Sequence, residues 1–425
     1  MDKYRIYFMT DGDGFGVNLQ PANEETGTIF LELLICFGNF EGKLLNLKSE
    51  YKATPELKFK ISEFVDAYSS LFPVLNGLKS KISSIPDNHY FLVMENLPSD
   101  TAKRVKLELY VAALNETGSP EEAQILYKDK AKSLDDFAGD FLLAYDMSIP
   151  RTDRRTIIGN KKKEDRCCRF CGKSAGDGVT FKKIAHAISE GLGNKNIILA
   201  DECDICNEYF GKKIEPTLIE YLDIYRVFLG VKGKRGEPKL TYKNGHMQQL
   251  DGQAVVSSQN IEKISDTEFK IHLKTSKKFV PENLYKALCK ITLSTLDENE
   301  IPNLNETIDW LRSESIVEKE LPKVAVNIVS HSVSKIPQIV NYIRKTDSNK
   351  IPHIVSEFRI GSFVYVYILP LSSKDSTSFT DDDDYESFWS KFNHYSNFDG
   401  WRFDSLSEIN EIAINEIIHM KQTEA

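Results

Sequence analysis

Five of the seven cysteines lie between Arg166 and Glu215. Cys168 and Cys171 form one C-x-x-C pair, and Cys203 and Cys206 form a second. Four soft thiolates in two such knuckles suit a tetrahedral zinc ion. A short segment that buries little apolar surface would draw from that ion folding free energy its own core cannot supply. A redox dithiol is the competing chemistry for a C-x-x-C, and two paired knuckles at zinc-ribbon spacing favour metal over it. Cys167 adjoins Cys168, and the C-x-x-C register selects Cys168. Inside this frame stand His186 and Asn194, with Asn207 just past the second knuckle. An imidazole that titrates near neutrality can take a proton at pH 7. An amide oxygen is a hard donor suited to magnesium or manganese. Each residue also has a plain role: a histidine bonded to backbone beside zinc, a turn asparagine after Gly193, a helix cap. Their joint occurrence inside one knuckle frame favours chemistry.

The elements that must position them read in order as strand, loop, strand and helix. "VTFKKIAHAI" (Val179 to Ile188) is the first strand and carries His186 near its end. "SEGLGNKNIILA" is a glycine-containing loop, holding Asn194, that runs into a short apolar strand. The helix begins around the second knuckle, with Asn207 on its first turn, and is kinked or restarted near Pro216.

A chain of 425 residues exceeds one ordinary core. At 41% hydrophobic and 28% charged it has the composition of a soluble globular protein. No apolar stretch of about 18 residues could span a bilayer, and "MDKYRIYFMTDGDG", with its short apolar run and acidic continuation, is not expected to be a secretory signal. Seven unevenly placed cysteines do not form a secreted disulfide framework, so a reducing cytoplasm is expected. The net charge of −9 argues against a protein that coats nucleic acid over its whole surface, though not against a local basic face. Arg151 to Gly236 holds 18 Lys and Arg against 12 Asp and Glu, a net of +6, which leaves −15 for the rest. The basic clusters are "RTDRR" and "KKK" upstream of the cysteines and "KGKR" downstream; they read as solvated linkers or as a phosphate-facing collar.

Three parts are expected: 1–150, 151–236 and 237–425. The first is α+β, with a hairpin made by "YRIYFM" and "FGVNL", strands at "IFLELLICFG" and "HYFLVMENL", and helices at "SEFVDAYSSLFPVL" and "LDDFAGDFLLAYDM". Asp11 to Gly16 lacks the ligand pattern of a calcium loop and the lysine of a phosphate loop, so it reads as a tight turn. In the third part "KFVPENLYKALCKITLSTL" and "ETIDWLRS" read as helices, with Pro281 in a first turn. "KVAVNIVSHS" and "IVSEFRIGSFVYVYILPL" read as strands punctuated by Gly361. "DDDDYE" reads as an acidic loop and "LSEINEIAINEIIHM" as an amphipathic helix. His331, His353, His394 and His419 are scattered and read as surface or packed histidines.

"CRFCGK", "AHAISEGLGNK" and "ECDICNEYFGKKIE" together resemble the HNH endonucleases, in the type whose two C-x-x-C knuckles bracket the active site. The resemblance implies an α+β, multidomain chain whose central ββα-metal finger is held by a four-cysteine structural zinc site and flanked by N- and C-terminal α+β domains. It implies His186 as general base, Asn194 as the residue orienting that imidazole, and Asn207 as ligand of a catalytic magnesium or manganese ion. The reaction implied is hydrolysis of DNA phosphodiester bonds, in which an activated water attacks in line and a cation takes up charge on phosphate. Lys182, Lys183, Lys195 and Lys212 are the expected backbone clamps. The chain departs from the pattern at Ala185, where family members place a second metal ligand; Glu215 is the expected substitute, and Asp201 and Glu202 are expected to be structural. The large flanks resemble those of bacterial restriction and phage-defence effectors, where they sense, gate or bind a partner subunit such as an ATPase. "KFVPENLYKALCKITL" followed by "DWLRS" is similar to the region after this type of module in other bacterial proteins. The alternative is a non-catalytic zinc-ribbon module that binds nucleic acid or a protein, toward which Ala185 leans.

Overall fold

The alternating residues of "YRIYFM" and "FGVNL" pair antiparallel, from Tyr4↔Leu19 to Met9↔Gly14, and bury Ile6, Phe8, Val17 and Leu19. This hairpin is half of a four-stranded sheet ordered Gly14–Leu19, Tyr4–Met9, Tyr90–Met94, Glu50–Lys52. Against it packs the helix Pro55–Tyr68, which starts with Pro55 in its first turn and with the Thr54 hydroxyl accepting from the Leu57 N–H at 3.2 Å. Its Ile61, Phe64 and Val65 join Phe8 and Phe91 in one apolar cluster. "IFLELLICFG" is not a strand. It belongs to the helix Thr26–Ile35, in which Ile29 and Leu33, four apart, are the buried apolar residues of one face. A short apolar run fits either period, and here Leu- and Glu-rich composition and the packing surface decide for helix.

The computed structural model describes residues 4–11, 14–20, 25–42, 44–98, 100–231, 236, 239–251, 253–259, 261–313, 319–329, 334–347, 350–392 and 399–421. The chain forms two compact units, Met1–Leu143 and Ala144–Ala425, and mixes helices with several separate sheets.

The second unit is built around the helix Pro281–Thr295, of whose residues only Asn283 is not buried. A helix covered on every side must have partners on every side. One is a six-stranded antiparallel sheet ordered Arg402–Asp404, Val324–Ile328, Phe363–Ile368, Ile354–Gly361, Ser334–Arg344, Tyr145–Ser148. The Tyr285 hydroxyl donates to the Ile368 carbonyl at 2.7 Å, and Thr292 bonds Ser356 and Tyr367. Another partner is the helix Asn305–Arg312, whose Trp310 Nε1 donates to Glu282 Oε1 at 2.7 Å. A third is the cysteine segment. Phe170, Phe210 and Leu218 from that segment share one apolar core with Tyr285, Leu288, Phe358 and Tyr367. At 236/237, where composition suggests a boundary, the core is therefore continuous on both sides.

Two expectations for the C-terminal part are corrected. "DDDDYE" opens the helix Asp382–Trp389, with Asp381 as N-cap accepting from the Asp383 N–H at 2.9 Å. Carboxylates in a first turn complement the helix dipole, so the acidic run is a start signal. The region of "LSEINEIAINEIIHM" holds a strand, Ile412–Lys421, paired antiparallel with Glu268–Phe279. Isoleucines at helical spacing are also good strand formers, and a long partner strand settles the matter. His331 and His394 lie outside the described residues. His353 is fully buried, between Ser372 Oγ at 2.7 Å and Glu300 Oε2 at 3.0 Å.

Candidate metal centre and the polar site beside it

The first knuckle is a tight turn: Gly172, at φ +67°, donates to the Cys168 carbonyl at 2.8 Å, and the Cys168 N–H donates to Lys173. The second is a helix start, with Cys203 as N-cap of Asp204–Lys213 and Cys206 in its first turn. These turns bring the Sγ atoms of Cys168, Cys171, Cys203 and Cys206 within 4.8 Å of one another. Cys171 and Cys203 Sγ stand 3.8 Å apart, which is the edge of a tetrahedron with zinc–sulfur bonds of about 2.3 Å. The donor set thus fits a metal ion such as zinc. Four sulfurs this close cannot all ionise without a cation: the Cys206 thiol holds Cys168 down to about 4, while burial pushes Cys203 up to about 11. Cys167 is exposed, its Sγ on the Gly172 carbonyl at 3.3 Å, and stands outside the group.

Arg169 anchors the first knuckle to the rest of the unit. Its buried guanidinium donates to the carbonyls of Leu293 and Leu296 at 2.7 and 3.1 Å, at the C-terminal end of the helix Pro281–Thr295. Orphan carbonyls at a helix end are natural partners for a cation.

Between the knuckles, Ala185–His186 pairs antiparallel with Ile197–Leu199, His186 opposite Ile198, and Thr156–Ile158 adds a parallel third strand. The first strand is shorter than expected. Residues before it form a loop held by Asp204, whose carboxylate accepts from the Lys182 and Lys183 N–H groups at 3.1 and 2.8 Å and from the Thr180 hydroxyl. The helix that follows breaks at Ile214 and restarts as Glu215–Tyr221, with Pro216 in its first turn.

His186 is half-buried, and burial lowers its pKa from the usual value, so the ring is neutral at pH 7. Its Nδ1 is buried without a hydrogen-bond partner. Asn194 is fully buried and spends its amide on the loop. Its Oδ1 accepts from the Asn196 and Ile197 N–H groups, both at 3.0 Å, and its Nδ2 donates to the Thr152 carbonyl at 3.2 Å. None of these bonds reaches the imidazole; they hold the loop that leads into the strand Ile197–Leu199. Asn207 is half-buried on the first helical turn, its N–H on the Cys203 carbonyl and its amide uncommitted among the described residues.

The residue that sequence reasoning missed is Lys290. Buried in the helix Pro281–Thr295, its Nζ lies 3.0 Å from the His186 carbonyl, 3.0 Å from Glu215 Oε1 and 3.3 Å from Glu202 Oε2. Burial works against this ammonium, and the two carboxylates outweigh it and raise its pKa. Glu202 is fully buried, and burial pushes its carboxyl up to about 7; neither of its oxygens has a hydrogen bond of good geometry. A cavity of about 10 Å³ lined by Glu215 and Lys290, but not by Glu202, leaves room for about one water. A lysine among apolar residues at helical spacing looks like a surface residue in sequence, and nothing local marked it.

Glu215 is thus an ion-pair partner of Lys290. Ala185 is buried, packed in the interior. Among the described residues no second cluster of His, Cys, Asp or Glu resembles the four-sulfur group. Of the four expected clamps, Lys183 and Lys212 share Glu208, at 3.2 and 2.6 Å, and Lys195 pairs with Glu190 at 2.9 Å; Lys182 is exposed. No helix among the described residues is long and apolar enough to cross a membrane. Comparison with protein-family models, with curated proteins and with solved structures finds no match for this chain.

Proposed function

We propose that this chain is a metal-dependent endonuclease of the HNH type, hydrolysing DNA phosphodiester bonds with His186 as general base. The observation that carries the reading is the arrangement inside the four-cysteine frame. A short antiparallel pair ends in a neutral, half-buried histidine, and a helix starts at the second knuckle with Asn207 on its first turn. A neutral imidazole can take the proton of an attacking water, and a helix N-terminus favours a phosphate. The role in bacterial defence, alone or with a partner subunit, rests on the resemblance of the flanks.

A catalytic magnesium or manganese ion would neutralise charge on the phosphate. The chain offers it little: Asn207 is uncommitted, while Glu215 already faces an ammonium that repels a second cation. Magnesium is often held by one or two protein oxygens, with water and substrate phosphate completing the shell. Asn207 is the protein donor for which this reading stands.

Two observations favour the second reading, a zinc-ribbon module that binds without cutting. Ala185 supplies no ligand, and Lys290 captures the one nearby substitute. Asn207→Ala separates the two readings. Under the first it abolishes cleavage of duplex DNA in magnesium or manganese and leaves zinc content unchanged; under the second wild type and variant bind DNA alike and neither cuts.

A further inference from the structure

Around His186 most of the positive charge is already answered by acid, since Lys183, Lys195 and Lys212 all face carboxylates. Unanswered charge lies on the other edge of the same sheet. Lys161, Lys162 and Lys163 follow the edge strand Thr156–Ile158, are exposed, and have no carboxylate partner among the described residues. Arg155, at the other end of that strand, is likewise exposed and unpaired.

The backbone of this loop is built, not merely solvated. Gly159 takes φ +88°, and a side chain there would collide with the Asp201 carboxylate. Asp201 Oδ1 accepts from the Asn160 N–H at 2.9 Å, and Asn160 Oδ1 accepts from the Lys162 N–H at 3.0 Å. Arg166 donates to the carbonyls of Asn160 and Lys161 at 2.8 and 3.1 Å. Asp201 accepts through its carbonyl from the Arg169 N–H at 2.9 Å, between the two cysteines of the first knuckle. The loop is therefore pinned to the four-cysteine frame while its three ammonium groups stand in solvent. Glu164 and Asp165 follow in a short 3-10 turn, with none of the three lysines paired to them.

We propose that the loop 159–163 is the main grip of this chain on the phosphate backbone of duplex DNA. The inference rests on the reading that DNA is the substrate. Each phosphate neutralised by a lysine releases condensed counterions, so unpaired lysines contribute in full, whereas Lys183 and Lys212 must first leave Glu208. A loop already held by hydrogen bonds loses little freedom on binding. Its strand lies two strand spacings, about 10 Å, from the one that ends in His186, within the footprint of a duplex lying over that residue.

The test is binding of the full-length, zinc-loaded chain to a labelled duplex by fluorescence anisotropy. Salt is varied and no magnesium or manganese is added, so that cleavage plays no part. Lys161→Gln/Lys162→Gln/Lys163→Gln should retain the wild-type melting temperature and lower the slope of log affinity against log salt by about 2.7, at about 0.9 per phosphate contact. Lys183→Gln/Lys195→Gln/Lys212→Gln should lower it by less than half as much. A loop variant with the wild-type slope, a larger effect of the second triple, or a wild-type chain that binds no duplex at low salt would each overturn the inference. Duplex binding that depends on the loop, in a chain that still cuts nothing once magnesium or manganese is added, would keep the inference and remove the nuclease reading.

Discussion

Cys167 and Cys168 are neighbours in sequence, yet only one of them can serve a metal. Cys168 is buried with its sulfur in the four-cysteine group, and Cys167 is exposed on a carbonyl. Cys168→Ser is therefore expected to lose most bound zinc and Cys167→Ser to keep it, as read by metal analysis of the purified chains; equal loss in both would mean the knuckle is in a different register. Histidines divide in the same way. His353, buried between Ser372 and Glu300, is held down to about 4, chiefly by burial. Because its folded pKa lies below the unfolded value, the unfolded chain binds the extra proton between those two values. Stability is expected to fall as pH drops from about 6.5 to about 4, by at most about 3 kcal/mol from this group. The difference between denaturation curves of wild type and His353→Gln across that window isolates the contribution, and parallel curves would show it absent. His186 is lowered in the same direction, so cleavage that needs its neutral form should keep its acid limb below pH 6.5. At this scale the four-cysteine group that could hold a metal ion was legible because spacing alone defines a knuckle. The tie between Glu215 and Lys290 was not, because 75 positions separate them in the chain and neither carries a local signal.

Among the elements, the helix Pro281–Thr295 sets the site most firmly. Its start, at Pro281, and its apolar spacing were plain in the sequence; that it would be buried on all sides, with Lys290 under His186, was not. Removing one partner of a buried ion pair leaves the others uncompensated, so Lys290→Met is expected to cost about 3–5 kcal/mol of stability. Lys290→Met combined with Glu202→Gln should recover part of that loss in urea denaturation. A single variant as stable as wild type would show that the pair contributes nothing. Two of the elements read wrongly share one cause. "IFLELLICFG" and the segment of Ile412–Lys421 carry apolar patterns compatible with both periods, and the choice between helix and strand was made by packing and by a distant partner strand. The acidic run after Asp381 could have been read correctly, since a capping aspartate followed by carboxylates marks a helix start.

For the whole molecule, the two compact units Met1–Leu143 and Ala144–Ala425 make a prediction about fragments. A chain of residues 144–425 should bind zinc and unfold cooperatively. A chain of residues 151–236 should not unfold cooperatively even with zinc, because Phe170, Phe210 and Leu218 lose the apolar partners they have on the helix Pro281–Thr295. Calorimetry of both fragments decides, and a cooperative transition in the shorter one would contradict a shared core. Composition showed the basic middle segment and its cysteines, but continuity of a core is a property of contacts that no window of sequence contains. The central claim, that the four-cysteine frame holds a nuclease site, belongs to the full chain, and the most direct measurement is cleavage of supercoiled plasmid in magnesium or manganese by wild type and His186→Ala at equal zinc content. Nicking by wild type and its loss in His186→Ala is the result predicted. Equal nicking by both, or none by a zinc-loaded wild type that binds the same plasmid, would contradict it.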